Sequence, residues 1–354
     1  MTSVRQRPAG KGRRPLTFSL TPAQVNLWLA VATIGAAVTG LISWGVGTEW
    51  SRLWTALHGV FGVTLVVLTP AKAGGSVRVG LRRRRMSRWL SIAFGVLLLT
   101  VVVLGFAHST GAWVGVGYWT SLWTHFLFAF IALPLLLWHI LARPVRTRAV
   151  DFDRRMLLGG GAAVGVAAVT VGVVEAAVQV SGSSGGDRRF TGSHEVGSFD
   201  PDAMPTVSWI DDRAPESTEA EGWALTVNGA ALAVADLRDQ ARPVEAALDC
   251  TGGWFSRQRW DVVSLAEVLG DALDGEVRSF AVRSTTGYRR HFPVRDATNV
   301  YLAVGYDGRP LRRGHGAPVR VVAPGYRGPW WVKWVIEVET STRPWWLQLP
   351  FPAT

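Results

Sequence analysis

The chain has 354 residues, of which 48% are hydrophobic and only 18% charged, with a formal net charge of +11. Globular chains carry about 25% charged residues, so this deficit excludes an ordinary soluble enzyme, and the apolar content excludes a disordered chain. The positive balance is no nucleic-acid signature, because residues 1–180 hold 18 Lys and Arg against 4 Asp and Glu, while residues 181–354 hold 19 against 22.

Five apolar stretches, at roughly 23–46, 51–70, 89–108, 118–141 and 156–179, reach the ~20 residues a helix needs to cross a bilayer. The basic residues stand in blocks between them: Arg5 to Arg14, then Lys72 to Arg88, then Arg143 to Arg155. Blocks of this kind stay on the cytoplasmic side. The reading is a multi-pass protein of the bacterial cell membrane with a cytoplasmic basic tail (1–20), four helices in two hairpins (21–148) and a fifth helix (149–180) leading outward. A Gly/Ser linker (181–189) then joins it to an exported domain (190–354). Asp153-Arg154-Arg155-Met156-Leu157-Leu158 before a Gly/Ala-rich core resembles a twin-arginine export signal, the kind that carries folded, cofactor-loaded domains.

Ionisable residues within a bilayer are costly and usually functional. His58 and His125 each lie about seven residues from the outer end of antiparallel spans, ~10 Å deep at 1.5 Å per residue. That placement suits two imidazoles clamping one haem iron. His139 follows His125 by 14 residues, ~21 Å along nearly the same face, and has no partner His at its depth. A second haem there, a quinone site and simple packing stay open. His108, at the outer lip of the third span, is left between an alternative outer ligand, a haem propionate contact and a surface residue. Helix count and histidine placement resemble ferric-reductase-like and cytochrome-b-like membrane subunits, which implies haem b and exchange with a membrane quinone or another membrane electron carrier.

Beyond the linker the pattern turns to short strands: WALTVNG (223–229) ends in an Asn-Gly turn signal, and VRSFAVRST (277–285), NVYLAVGYDG (299–308) and PVRVVAPG (318–325) read as strands. WWVKWVIEVE (330–339) reads as one long strand and VSLAEVL (263–269) as a helix. Cys250 follows a short strand and precedes a glycine turn and a helix. The runs ALDCTGGWFSRQRWDVVSLAEVL (247–269) and RPLRRGHGAPVRVVAPGYRGPWWVKWVIEVE (309–339) together resemble the molybdopterin-binding domain of the sulfite oxidase family. The resemblance implies a mixed α/β fold, a Cys250 thiolate on molybdenum, and pterin contacts from Thr251, His315, Arg320 and Lys333, with Ser193 and His194 of the segment FTGSHEVGS (190–198) beside the metal. A thiolate is a soft donor suited to such a metal, and Arg and Lys suit a phosphate tail. Gly252 and Gly253 let the chain turn close to a bulky cofactor. Arg312 and Arg313 read as a solvated face.

Sulfite-oxidising members place an Arg soon after the metal-binding Cys; here Thr251-Gly252-Gly253-Trp254 stands there, with Arg257 and Arg259 further on. Little sequence follows the last motif, so the expectation is a compact domain without the family's additional dimerisation domain, similar to the periplasmic protein-methionine-sulfoxide reductases. The expectation is an oxygen-atom-transfer reductase of small-molecule or protein sulfoxides. The alternatives are an oxidase of sulfite or another small anion, and a redox sensor that keeps the fold without turnover.

Overall fold

A computed structural model of the chain describes residues 20–82, 87–116, 119–142, 148–208 and 212–349. Most of the basic blocks, including Arg5 to Arg14, Arg83 to Arg85, Arg143 and Arg146, lie outside the described residues.

Among the described residues, five helices are long and apolar enough to cross a membrane. They are α1 (Pro22–Gly45), α2 (Ser51–Arg82), α3 (Ser87–Thr110), α4 (Ser121–Ala142) and α5 (Arg154–Val180). Local chemistry sets their starts. Pro22 opens α1 behind a capping box in which Thr21 and Gln24 satisfy each other's backbone N–H groups, and the Asp153 carboxylate caps α5 at the Met156 N–H. In the structure α1 packs along α2 and α3 along α4, while α5 lies chiefly on α2. The Trp28 indole of α1 donates to the Met156 carbonyl of α5, in a space that a side chain on Gly160 would fill.

A short hairpin, β1 (Gly115–Val116) with β2 (Trp119–Thr120), joins α3 to α4. The C-terminal half is mixed α/β. Its strands are β3 (His194–Glu195), β4 (Thr226–Val227), β5 (Ala230–Ala231), β6 (Arg242–Cys250), β7 (Trp254–Ser264), β8 (Ser279–Ser284), β9 (Arg289–Pro293), β10 (Tyr301–Tyr306), β11 (Arg309–Pro310), β12 (Arg320–Val322) and β13 (Val335–Ser341). One sheet runs β11-β10-β7-β3 with β12 beside β10 and β6 beside β7; the other runs β5-β4-β13-β8-β9. Their facing sides form a core around Trp260, Val262, Phe280, Phe292 and Leu302, all fully buried.

Two expectations are corrected. Cys250 ends a nine-residue strand, and the glycine turn leads into an eleven-residue strand, so Cys250–Trp254 is the tip of an antiparallel hairpin; the helix begins only at Leu265, behind a Ser264/Glu267 capping box. The run 330–339 is also no single strand. Gly328–Trp330 forms a 3-10 turn, Trp334 takes a left-handed φ of 50°, and the strand starts at Val335. The apolar density of that run reflects burial of Trp331, Val332 and Trp334 in a folded loop, which period-2 reasoning mistakes for a strand.

Candidate active site at the junction of the two halves

A cleft opens at the β6–β7 tip. It is lined by Cys250 and Thr251, by Trp254, Tyr288 and Trp331, by His315, Arg320 and Lys333, and by Trp123 from α4. Thus five of the residues expected to hold a cofactor converge in one place, although they come from the β6–β7 turn, a 3-10 turn, β12 and the loop before β13.

Its electrostatics are unusual. Arg320 is 1% exposed and donates only to backbone: Nη1 to the His315 carbonyl at 2.7 Å and Nη2 to the Trp331 carbonyl at 3.4 Å. Lys333 Nζ donates to the carbonyls of Gly314 (2.6 Å) and Val207 (2.9 Å). Burial, with the Arg320 charge beside it, pulls Lys333 down to about 7, and burial pulls Arg320 down to about 9. His315 is lowered to about 4 by burial and by Arg320. Among the described residues lining the cleft, Asp212 is the only carboxylate, and burial raises its own pKa. Buried cations are normally paired, and Asp212 is the one carboxylate that faces these among the described residues lining the cleft. Arg312 and Arg313 are exposed, as read from the sequence.

The Cys250 thiol is raised by burial, against the Gly252 N–H that reaches its Sγ at 3.3 Å and the nearby Arg327 charge. Arg327 was missed by the sequence reading. It is 1% exposed, donates to the Cys250 carbonyl at 3.0 Å and lies 3.3 Å from the Asp249 carboxylate. Asp249 also accepts from the hydroxyls of Thr191 and Ser193 at 2.7 Å each. Ser193 therefore acts on Asp249, behind the cysteine, and does not line the cleft. A buried arginine is invisible in a chain with 37 basic residues; its position beside Gly328, against the Cys250 backbone, is the only signal.

His194 is also corrected. Its Nε2 pairs with the His108 carbonyl at 2.9 Å and its Nδ1 with the Ser184 carbonyl at 3.2 Å, so it fastens the first segment of the domain to α3. His108 answers it: its ring bridges Ser121 Oγ (2.7 Å) and the Gly192 carbonyl (2.9 Å). With both ring nitrogens engaged, His108 is a junction residue, which removes it as an alternative iron ligand.

Gly252 and Gly253 face the helices more than the cleft. A Cβ at Gly252 would lie 3.0 Å from the Trp123 indole nitrogen, and one at Gly253, whose φ is 89°, would lie 2.8 Å from Leu122 and 3.0 Å from His108. The Thr120 hydroxyl donates to the Gly252 carbonyl at 2.6 Å, and the Trp44 indole to the Thr251 carbonyl at 2.8 Å. The Cys250 turn is thus seated on the ends of α1, α3 and α4.

Just beneath, His58 and His125 meet with ring centres 5.8 Å apart. The two hairpins build this pair in the same way. His58 Nδ1 bonds the Ala36 carbonyl at 2.8 Å, and its ring lies against Gly40, four residues on. His125 Nδ1 bonds the Val101 carbonyl at 2.8 Å, and its ring lies against Gly105, again four residues on. A carbonyl at Nδ1 fixes the tautomer that leaves Nε2 for a metal. His139 stacks on Phe94 at 5.6 Å. No cluster of three or more His, Cys, Asp or Glu offers an all-protein metal site among the described residues.

The protein-family model for the oxidoreductase molybdopterin binding domain matches residues 212–346. Mitochondrial sulfite oxidase of Mus musculus is 34% identical over 115 residues, a match covering 28% of this chain and 21% of that protein. The chain therefore spans about a fifth of the length of that relative. The crystal structure of the sulfane dehydrogenase SoxCD from Paracoccus pantotrophus aligns at 24% identity with a TM-score of 0.35, covering 37% of this chain and 41% of that one. Cys250, His315, Arg320 and Lys333 all lie inside the matched segment, so the residues that gather at the cleft are the ones that carry the similarity to oxidoreductase molybdopterin-binding domains.

Proposed function

We propose that the protein is a membrane-bound oxygen-atom-transfer reductase acting on sulfoxide-type substrates, supplied with electrons from a membrane quinol through haem b held by His58 and His125. The observation that carries this reading is the seat of the Cys250 turn on the helix ends: Thr120 holds Gly252, and His125 lies five residues further along α4, ~7.5 Å at 1.5 Å per residue.

The residues fit the cofactor. Cys250 offers the thiolate, Arg320 and Lys333 offer positive charge that only Asp212 faces among the described residues lining the cleft, and His315 offers a neutral imidazole to an anionic pterin. When bound, the molybdenum cofactor supplies two-electron oxygen-atom transfer and haem supplies single-electron transfer. The chain's own part is ligation and shaping. Arg327 and Asp249 fix the strand end that carries the thiol, and Trp123, Trp254, Trp331 and Tyr288 wall the cleft with rings that exclude water.

The arginines of the β6–β7 hairpin favour a neutral substrate. Arg257 pairs with Glu195 at 2.9 Å, Arg259 faces Asp307 at 3.5 Å, and neither lines the cleft; Arg327 is held by Asp249. With Arg320 and Lys333 taken by the pterin, a sulfite dianion would need a further uncommitted cation, whereas a sulfoxide oxygen needs only a hydrogen-bond donor. The second reading, oxidation of sulfite with electrons delivered into the membrane, is favoured by the likeness to mitochondrial sulfite oxidase. The basic blocks support a cytoplasmic N-terminus and an outer-side catalytic domain in a bacterial cell membrane, and Arg154-Arg155 supports twin-arginine export of that domain with α5.

The test is metal analysis and an optical spectrum of the purified protein, followed by substrate addition. A reduced haem should be oxidised by methionine sulfoxide. An oxidised haem that is instead reduced by sulfite would reverse the direction.

A further inference from the structure

Between the His58–His125 pair and the Cys250 turn lie three rings. Trp44 stands on α1 one helical turn above Gly40, which touches the His58 ring. Its indole packs on Phe126 at 4.4 Å between ring centres, tilted by 31°. Phe126 in turn meets Trp123 at 6.1 Å, edge to face, and is the chain neighbour of His125. The two tryptophans end on the turn itself: the Trp44 N–H on the Thr251 carbonyl at 2.8 Å, and the Trp123 indole against Gly252, next to the Cys250 sulfur, inside the cleft. Each contact crosses from one half of the protein to the other, and each lands on Thr251 or Gly252.

Packing alone does not ask for this arrangement. Leu or Val would fill the same space between apolar helix ends, and an indole needs a partner for its N–H. Here one such partner is the backbone of the turn that bears the metal-binding cysteine, and the matching glycine lets the second indole approach it.

We infer that Trp44, Phe126 and Trp123 form an aromatic bridge that couples the membrane half electronically to the Cys250 cleft, a proposal that rests on the haem and molybdenum reading above. Electrons pass singly. With haem held by His58 and His125, each passage would oxidise its iron by one electron and reduce the cleft side by one. Two passages serve one two-electron substrate conversion, with a membrane hydroquinone as reductant, giving the quinone, and the released oxygen taken up with two protons as water. The rings themselves are neither oxidised nor reduced at rest; they shorten the path through space.

Phe126→Leu tests the bridge in the full chain, because Phe126 lines no part of the cleft. The readout is the rate at which reduced haem is oxidised after rapid mixing with methionine sulfoxide, followed by absorbance. Turnover with a soluble reduced dye and the molybdenum content are measured alongside. The expected result is a haem oxidation rate lowered by about tenfold or more, about 1.4 kcal/mol of barrier. The haem spectrum, metal content and dye-driven turnover should remain at wild-type levels, and Phe126→Trp should restore the rate. Trp44→Leu breaks the same stack from α1 and replaces the first variant should that one fail to fold. An unchanged haem oxidation rate in a variant with intact spectrum and metal would overturn the bridge while leaving the functional reading standing. Wild-type protein without haem absorbance would overturn that reading and the bridge with it.

Discussion

In the helical half, His58 and His125 are tied through Nδ1 to a carbonyl of the preceding helix, and Gly40 and Gly105 leave each ring its space. In the C-terminal half, Arg320 and Lys333 also bond backbone carbonyls, yet those bonds satisfy their donors and leave their charge unbalanced. The difference teaches what each site is built for. Neutral imidazoles in an apolar bundle need only orientation to become ligands. Cations held in a cleft with one facing carboxylate are a standing cost that an anionic cofactor relieves, so cofactor and domain stabilise each other by mass action.

The comparison breaks first at Cys250. Cys250→Ser should abolish molybdenum-dependent turnover, by about a thousandfold or more if the thiolate is the metal's protein ligand, while leaving the His58–His125 pair and its haem spectrum intact. Turnover at the wild-type rate would sink the assignment. The converse change, His58→Ala or His125→Ala, should remove the haem absorbance and cut quinol-driven turnover by about a hundredfold, leaving dye-driven turnover and molybdenum in place; His139→Ala should spare that absorbance.

Lys333→Met sharpens the contrast in charge. Losing one charged contact to the cofactor should weaken its retention by roughly ten- to a hundredfold, read as molybdenum per chain after dialysis. The cofactor-free protein should behave in the opposite sense. Folded Lys333 releases its proton near 7, against 10.5 for the ordinary side chain. Between those pH values the unfolded chain binds more protons, so stability rises with pH across that window. Melting temperatures of the cofactor-free protein should therefore climb from pH 7 to pH 10 more steeply in the wild type than in Lys333→Met. Equal slopes would show that Lys333 is not held neutral by its surroundings.

Smaller effects probe the seam. Gly253→Ala forces a side chain onto a φ of 89° and into Leu122 and His108; about 1–3 kcal/mol of strain should loosen the seat and slow haem oxidation by the substrate severalfold, while dye-driven turnover changes less. Smallest of all, Arg257→Ala should leave the substrate KM within about twofold, as an exposed ion pair contributes little. A large rise in KM for sulfite, but not for a sulfoxide, would instead support the sulfite reading.

The sequence by itself determined the five apolar helices and the heights of His58 and His125 along them, because hydropathy and residue spacing are local properties of the chain; the Cys250, His315, Arg320 and Lys333 set came from a likeness to a family's motifs. Only the tertiary structure decided which residues meet across it. The Trp44–Thr251 bond joins positions 207 residues apart and the Thr120–Gly252 bond positions 132 apart, so neither leaves a periodic trace. The same holds for Arg327 behind the cysteine and for Ser193 and His194, whose polar atoms are claimed by Asp249 and by α3. The glycines after Cys250 looked made for a cofactor; their close neighbours are residues of α3 and α4, and it is that packing, set by distant residues, that puts the Cys250 turn against the helical half.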